Sequence, residues 1–223
     1  MFFNTSNLKK LVARAALEYI DDGMIIGVGS GSTVREFINL LASSRFRVKC
    51  VPTSYDTELL LRSLGLHVLL LRDVEKIDVA VDGADSVLME KQVIIKGGGG
   101  ALLREKIVDY LADEFIVIVD ESKVNRRFPV PIEILPFAYS KLLLRELSRF
   151  GVPSLRLAKN KLGPVITDNG NWIIDLDIPS EKISRELETI LNHIPGALEN
   201  GVFTRAARIL IANRDGRIEE KKI

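Results

Sequence analysis

The sequence predicts an α/β fold: a mostly parallel sheet with helices on both faces, joined to a smaller α+β domain. Three observations carry this expectation. Short runs that are apolar on both faces alternate with helical patterns through the first half of the chain, as in a parallel sheet covered on both sides. The pattern changes near Phe128, where Pro129, Pro131 and Pro136 cluster. Beyond that cluster, Asp168-Asn169-Gly170-Asn171 lies between two short apolar runs, which is a hairpin signal.

The elements follow in order. Leu8, Leu11, Val12, Ala15, Ala16 and Tyr19 recur at helical spacing over residues 6–20, and Asp21-Asp22-Gly23 ends that helix. Residues 24–28 form a short apolar run that enters a Gly/Ser turn, and 33–41 are helical again. Further strands are expected at 48–51, 67–71, 78–81, 93–95 and 115–119, with helices at 55–64 and 101–112 among them. After the prolines come a strand at 132–135, a helix at 138–149 and a strand at 155–158. The runs 165–167 and 172–174 are the expected arms of the hairpin. A helix at 180–193 and a strand near Val202 complete a split βαβ, ferredoxin-like unit. The apolar tail 207–212 is expected to return to the first sheet. Residues 1–127 with 204–223 are therefore read as a Rossmann-like α/β domain, and 128–203 as the small domain.

Composition narrows the function. In 223 residues, 47% hydrophobic and 27% charged content excludes disorder and coiled coil. Lys and Arg number 31 against 30 Asp and Glu, a formal charge of +1, so no overall field draws the chain to nucleic acid or to an anionic membrane. An anionic ligand must be held by local charge. Cys50 is the only cysteine, and His67 and His193 are the only histidines, so neither a disulfide nor a metal centre is expected. No signal peptide is visible, and apolar runs such as 68–71 and 115–119 fall far short of the ~20 residues that span a bilayer. A soluble, cytoplasmic protein is expected.

In a parallel sheet, ligands bind where loops leave the carboxyl ends of the strands, and the informative residues fall there. Gly27-Val28-Gly29-Ser30-Gly31-Ser32-Thr33 joins a strand to a helix. It reads equally well as a cradle for phosphate at a helix N-terminus and as a tight turn capped by Ser32 or Thr33. Ser32 stands where a dinucleotide fingerprint needs glycine, and Val51-Pro52-Thr53-Ser54 lacks the acid that should end the next strand, so a nicotinamide cofactor is disfavoured. Asp82-Gly83-Ala84-Asp85 places two carboxylates around a turn, either as a functional pair or with Asp85 as a cap. Lys96-Gly97-Gly98-Gly99-Gly100 opens a helix, and four glycines let the backbone approach a ligand closely. Glu105, in the first turns of that helix, is either a base or a charge that complements the helix dipole. Lys123 and Lys9 read singly as surface charges, His67 and His193 as structural residues, and Trp172 and Tyr139 as packing.

Taken together, these segments resemble ribose 5-phosphate isomerase of type A. The Gly27–Thr33 turn, Asp82 to Asp85, Lys96-Gly97-Gly98-Gly99 leading to Arg104-Glu105-Lys106, and Asp120 to Lys123 stand in that family's order and spacing. The likeness continues through Ser63-Leu64-Gly65-Leu66-His67-Val68, Phe128-Pro129-Val130-Pro131-Ile132-Glu133, Thr167-Asp168-Asn169-Gly170-Asn171 and Ile194-Pro195-Gly196. Two departures are mild: Ser30 stands where the family often has Thr, and Gly100 where Ala is common. The resemblance implies interconversion of ribose 5-phosphate and ribulose 5-phosphate in the pentose phosphate pathway, without metal or organic cofactor. It implies Glu105 as the base that moves a proton through a cis-enediol, and Asp82, Asp85 and Lys96 as groups for ring opening and the two sugar oxygens. It implies substrate contacts from Ser30, Gly31, Ser32, Thr33, Gly83, Ala84, Gly97, Gly98 and Gly99, with Lys9 and Lys123 at the phosphate. A homodimer or homotetramer follows, with the small domain as the interface. The alternative is a non-catalytic sugar-phosphate sensor, which would not need a carboxylate base and would normally carry a DNA-binding module.

Overall fold

The computed structural model describes residues 4–223, so Met1, Phe2 and Phe3 of the N-terminal segment expected to carry no signal lie outside it. In chain order the first elements are α1 (Thr5–Ala16), β1 (Ile25–Val28), α2 (Ser32–Ala42), β2 (Lys49–Pro52), α3 (Tyr55–Ser63) and β3 (His67–Val68). Then come β4 (Ile77–Asp82), β5 (Ser86–Leu88), β6 (Val93–Ile95), α4 (Leu102–Leu111), β7 (Ala112–Asp120) and β8 (Val130–Ile134). The rest are α5 (Lys141–Leu147), β9 (Val152–Leu155), β10 (Trp172–Asp177), α6 (Leu187–Asn192), β11 (Ala197–Asn200), β12 (Val202–Phe203), β13 (Arg208–Ala212) and β14 (Ile218–Lys222). They form two compact units. The first holds the chain up to Ala84 with Arg104–Val124 and Arg205–Ile223; the second holds Asp85–Leu103 and Asn125–Thr204.

The first unit is built on one sheet of order β14-β13-β7-β4-β1-β2-β3. Every neighbouring pair is parallel except β13 with β14. The tail thus rejoins the first sheet as expected, beside β7. Alternation sorts the strand side chains onto two faces. Ile26, Val28, Val79, Val81, Ile116 and Ile118 are buried in one core with Leu8 and Val12 of α1, Val34 and Phe37 of α2, and Leu61 of α3. On the opposite face Gly27 and Ala80 are small and admit Val108 of α4. The outer strand β14 reads Ile-Glu-Glu-Lys-Lys and is mostly exposed, a charged edge that discourages further pairing. Chain order reverses at β1 and β4, with β2 on one side and β7 on the other, so the loops leaving these strands diverge and open a crevice at their carboxyl ends.

The second unit contains a sheet of order β11-β8-β10-β9, antiparallel throughout, with α5 and α6 in the two crossovers. This is the split βαβ arrangement expected from the sequence. Its core gathers Val130, Ile132, Ile134, Leu143, Leu147, Ile174, Leu176, Leu187 and Leu191.

Several expected boundaries differ. Residues 85–103 pack in the second unit, because β5 and β6 pair antiparallel there and β6 then pairs with β12. The run 93–95 is therefore no part of the parallel sheet. Pro131 lies inside β8 rather than before it; β11 has stopped pairing at Ile132, and the Pro131 carbonyl accepts from the Gly201 N–H. The hairpin turn at Asn169-Gly170 forms, but 165–167 is not a strand. Thr167, Asn169 and Asn171 donate instead to one oxygen of the buried Glu133 at 2.8, 3.0 and 2.8 Å, and β10 pairs with β8 and β9. The helix expected over 180–193 is confined to α6. Ahead of it Lys91 binds the Ile183 carbonyl at 2.8 Å and Arg185 binds the carbonyls of Gln92 and Thr204, which holds that segment out of helix.

Candidate active site

Three adjacent strands of the first unit, β1, β4 and β7, end in loops that carry most of the expected residues. The turn after β1 extends the ladder by one bond, from the Gly29 N–H to the Val81 carbonyl at 3.0 Å. On its other side the Thr57 hydroxyl donates to the Gly29 carbonyl at 2.7 Å. A side chain at Gly29 would overlap the Asp82 carboxylate, so only glycine lets β1 pass that close to the end of β4. Ser30 then links two acids. Its N–H donates to Asp82 Oδ1 at 3.1 Å, and its hydroxyl donates to Glu105 Oε1 at 2.5 Å. The Gly83 N–H donates to the same Asp82 oxygen at 2.6 Å.

Both carboxylates are buried: Asp82 is fully enclosed and Glu105 is 4% exposed. Glu105 lies in the first turn of α4, where the helix dipole favours an anion. A carboxylate held by a hydroxyl at that position has the orientation that a general base needs. The helix α2 opens at Gly31, whose φ is +92° and which supplies no side-chain cap, so neither Ser32 nor Thr33 is the cap. The ammonium of Lys9, on α1, donates to Ser32 Oγ at 2.8 Å, while its neighbour Lys10 is exposed. Lys123 sits in the 3₁₀ turn after β7, whose start is fixed by the Ser122 N–H on Asp120 Oδ1 at 3.0 Å.

The second unit holds the other candidates. The Gly98 N–H donates to Asp85 Oδ2 at 2.7 Å, and the Asp85 N–H donates to the Ile95 carbonyl. A side chain at Gly98 would come within 2.6 Å of the Asp85 carboxylate. Lys96 is buried, with its ammonium 5.5 Å from the centre of the Phe203 ring. Gly97 is buried, whereas Gly98 and Gly99 are exposed. The structure thus groups Ser30, Asp82, Gly83 and Glu105, pairs Lys9 with Ser32, and pairs Asp85 with Gly98.

Two residues at these loops escaped the sequence reading. Thr57, held by Ser54 at the start of α3, steadies Gly29; the signal was Ser54 just before a helical pattern. Arg156 donates to the carbonyls of Gly97 and Gly98 and had no motif around it. Cys50 is buried in β2, and burial pushes its thiol up to about 12, which leaves it without nucleophilic character. His193 Nδ1 lies 2.7 Å from the Thr189 carbonyl at the end of α6, and Tyr139 meets Trp172 edge to face at 5.7 Å.

Residues 49–216 match the family Ribose 5-phosphate isomerase A (phosphoriboisomerase A). The chain is 45% identical to ribose-5-phosphate isomerase A of Methanococcus aeolicus, over 90% of this chain and 88% of that protein. The structure of ribose 5-phosphate isomerase A from Methanocaldococcus jannaschii superposes with a TM-score of 0.92 at 40% identity, covering 99% of this chain and 100% of that one. A D-ribose-5-phosphate isomerase in complex with phospho-erythronic acid superposes at 0.91 with 43% identity, covering 99% of each chain.

Proposed function

The chain belongs to the ribose 5-phosphate isomerase A family, an isomerase of the pentose phosphate pathway, and from that premise we propose how its residues perform the reaction. The substrate is ribose 5-phosphate, a sugar phosphate of the class represented by the phospho-erythronic acid bound to the relative. Its phosphate meets Lys9, Lys123 and the hydroxyls of Ser32 and Thr33, with the uncapped start of α2 adding N–H groups. Asp82, Asp85 and Lys96 serve ring opening and then the oxygens on the first and second carbons. Ser30, Gly31, Gly83, Ala84, Gly97, Gly98 and Gly99 line the sugar.

In the open-chain aldose, Glu105 removes the proton on the second carbon. The electron pair forms the carbon–carbon double bond of a cis-enediolate, and the aldehyde oxygen takes up a proton. The hydroxyl of the second carbon then gives up its proton as the carbonyl forms there, while Glu105 returns its proton to the first carbon. A placed base contributes about 10²–10⁴-fold to such a step. Each donor aimed at the developing oxyanion contributes about 3–4 kcal/mol. No redox or metal step enters this scheme. The observation that carries the reading is the buried Glu105 carboxylate held by the Ser30 hydroxyl at 2.5 Å.

The test is ketose formation from ribose 5-phosphate in the presence of EDTA, with Glu105→Gln alongside. Rapid turnover by the wild type and a loss of about 10³-fold in the variant are expected. Substrate that raises the melting temperature without turnover would instead make the protein a sugar-phosphate sensor.

The enzyme works in the cytoplasm as a homodimer or homotetramer. No helix among the described residues is long and apolar enough to cross a membrane. The second unit exposes the apolar side chains of Leu135, Phe137 and Leu142, Phe137 at 99%, and these are what a second copy would cover. Sedimentation of Phe137→Asp should show a smaller species than the wild type; an unchanged assembly would remove this face from the interface.

A further inference from the structure

We infer that Arg156, held by Asp175, is a positioning residue for the isomerisation: it clamps the glycine loop and thereby aims the Gly98 N–H at Asp85. The inference rests on the reading that Asp85 acts on the sugar oxygens. Arg156 follows β9, and Asp175 faces it from β10. The Arg156 Nε donates to Asp175 Oδ2 at 2.8 Å while Nη2 donates to Oδ1, so the guanidinium is gripped at two points. Its remaining edge is turned to the loop, where Nη1 donates to the Gly97 carbonyl at 2.9 Å and to the Gly98 carbonyl at 3.2 Å.

The peptide between Gly97 and Gly98 converts this grip into a direction. Carbonyl and N–H of one trans peptide point opposite ways, so fixing the Gly97 carbonyl on Arg156 turns the Gly98 N–H the other way. There it meets Asp85 Oδ2 at 2.7 Å. Glycine on both sides leaves that peptide little torsional preference of its own, and Gly97 sits at φ +98°. The Gly100 N–H also donates to the Gly97 carbonyl, at 3.0 Å, and to that one turn bond the guanidinium adds the fork that fixes the Gly97 and Gly98 carbonyls together. The ion pair is mostly buried, at 15% and 22% side-chain exposure, and such pairs seldom add net stability because both charges lose water. Stability alone therefore explains it poorly. A lysine cannot replace it, since a single ammonium lacks the planar fork that spans a carboxylate and two carbonyls.

The test compares kcat, KM and melting temperature for Arg156→Ala, Arg156→Lys and Asp175→Asn. Arg156→Ala should lower kcat about 10²-fold, the scale of a small misplacement of a reacting group, with KM changed less than about threefold. Arg156→Lys and Asp175→Asn should each lose roughly tenfold in kcat, and they decide the matter if the alanine variant does not fold. A cleft of about 390 Å³ lined by Gly98, Gly99, Arg156 and Asp175 leads to this point. Added guanidinium should therefore restore part of the Arg156→Ala turnover, saturably, and do nothing for Asp175→Asn.

In an Asp85→Asn background, Arg156→Ala should cost little more, because the residue it orients is already lost. Unchanged kcat in the Arg156 variants, or a full additional loss in the Asp85→Asn background, would overturn the inference. Wild-type turnover with full activity in Asp85→Asn alone would instead remove the reading on which it rests.

Discussion

In the first unit the Gly29–Ser30 turn is an extension of the β1–β4 ladder, whereas in the second the Gly97–Gly98 peptide is held by one turn bond from the Gly100 N–H and by two side chains, Arg156 and Asp85. The ladder bond runs between main-chain groups, so it tolerates change in most side chains and depends on glycine at one point of close approach. The clamp is the reverse. Its glycines have little torsional preference, and charged side chains reinforce the single turn bond that shapes them. The geometry of the proposed site is thus supported by the core in one unit and mainly by polar side-chain contacts in the other. Substitutions near the two loops should show different balances of stability and activity.

Gly29→Ala should produce the largest effect in this comparison. Its methyl displaces the Asp82 carboxylate and with it the Ser30 N–H, so kcat/KM should fall by more than ~10²-fold. The collision lies in the packed end of the sheet, and unfolding free energy should drop by about 1–3 kcal/mol in denaturant titration. Gly98→Ala should separate the two quantities. Its methyl also meets a carboxylate, that of Asp85, but the loop is exposed there. Turnover should fall about tenfold while stability changes by less than ~0.5 kcal/mol. Equal losses of stability in the two variants would erase the proposed contrast.

Lys9→Ala should raise KM for ribose 5-phosphate about tenfold, since a hydrogen bond to a charged group is worth about 1.5–3 kcal/mol. Lys10→Ala, one position along, should leave KM within about twofold. Steady-state kinetics of the two variants tests which lysine serves the phosphate.

The smallest effect concerns only the scaffold of the first unit. Burial pushes the Asp78 carboxyl up, but the Lys76 ammonium at 2.5 Å and the Ile25 N–H at 2.7 Å outweigh it and hold the group below its ordinary value of 3.8. A lowered folded value means that the charged form is favoured on folding. Its stabilisation is present above the unfolded value and is lost as pH falls through the folded one. Asp78→Asn should therefore cost about 1 kcal/mol at neutral pH and nothing in strong acid, by denaturation at several pH values. A cost that does not vary with pH would assign the effect to lost hydrogen bonding rather than charge.

Much of this organisation was legible in the chain. The runs at 25–28, 79–81 and 115–119 are apolar on both faces because they lie inside a covered parallel sheet. The segments proposed for the site stood out because loops that pass close to a neighbouring strand or carboxylate need glycine, as at Gly29 and Gly98. Less legible was the fate of residues 85–103. Runs of three residues, such as Val93–Ile95, carry no mark of whether their neighbour is parallel or antiparallel. The arm at 165–167 is a short apolar run like a strand, but Thr167 is drawn to Glu133, whose buried carboxylate needs the donors of that turn.

By itself the sequence determined the periodicities, the glycine turns and the residue types of the chemistry, because each is set by neighbours a few positions away. Only the tertiary structure decided which atoms those residues meet. Ser30 and Glu105 are separated by 75 positions, and Arg156 and the Gly97 carbonyl by 59. A hydrogen bond across such a distance leaves no local pattern, since it is created when strands pair and crossovers close, and the partner it selects depends on the register of the whole sheet.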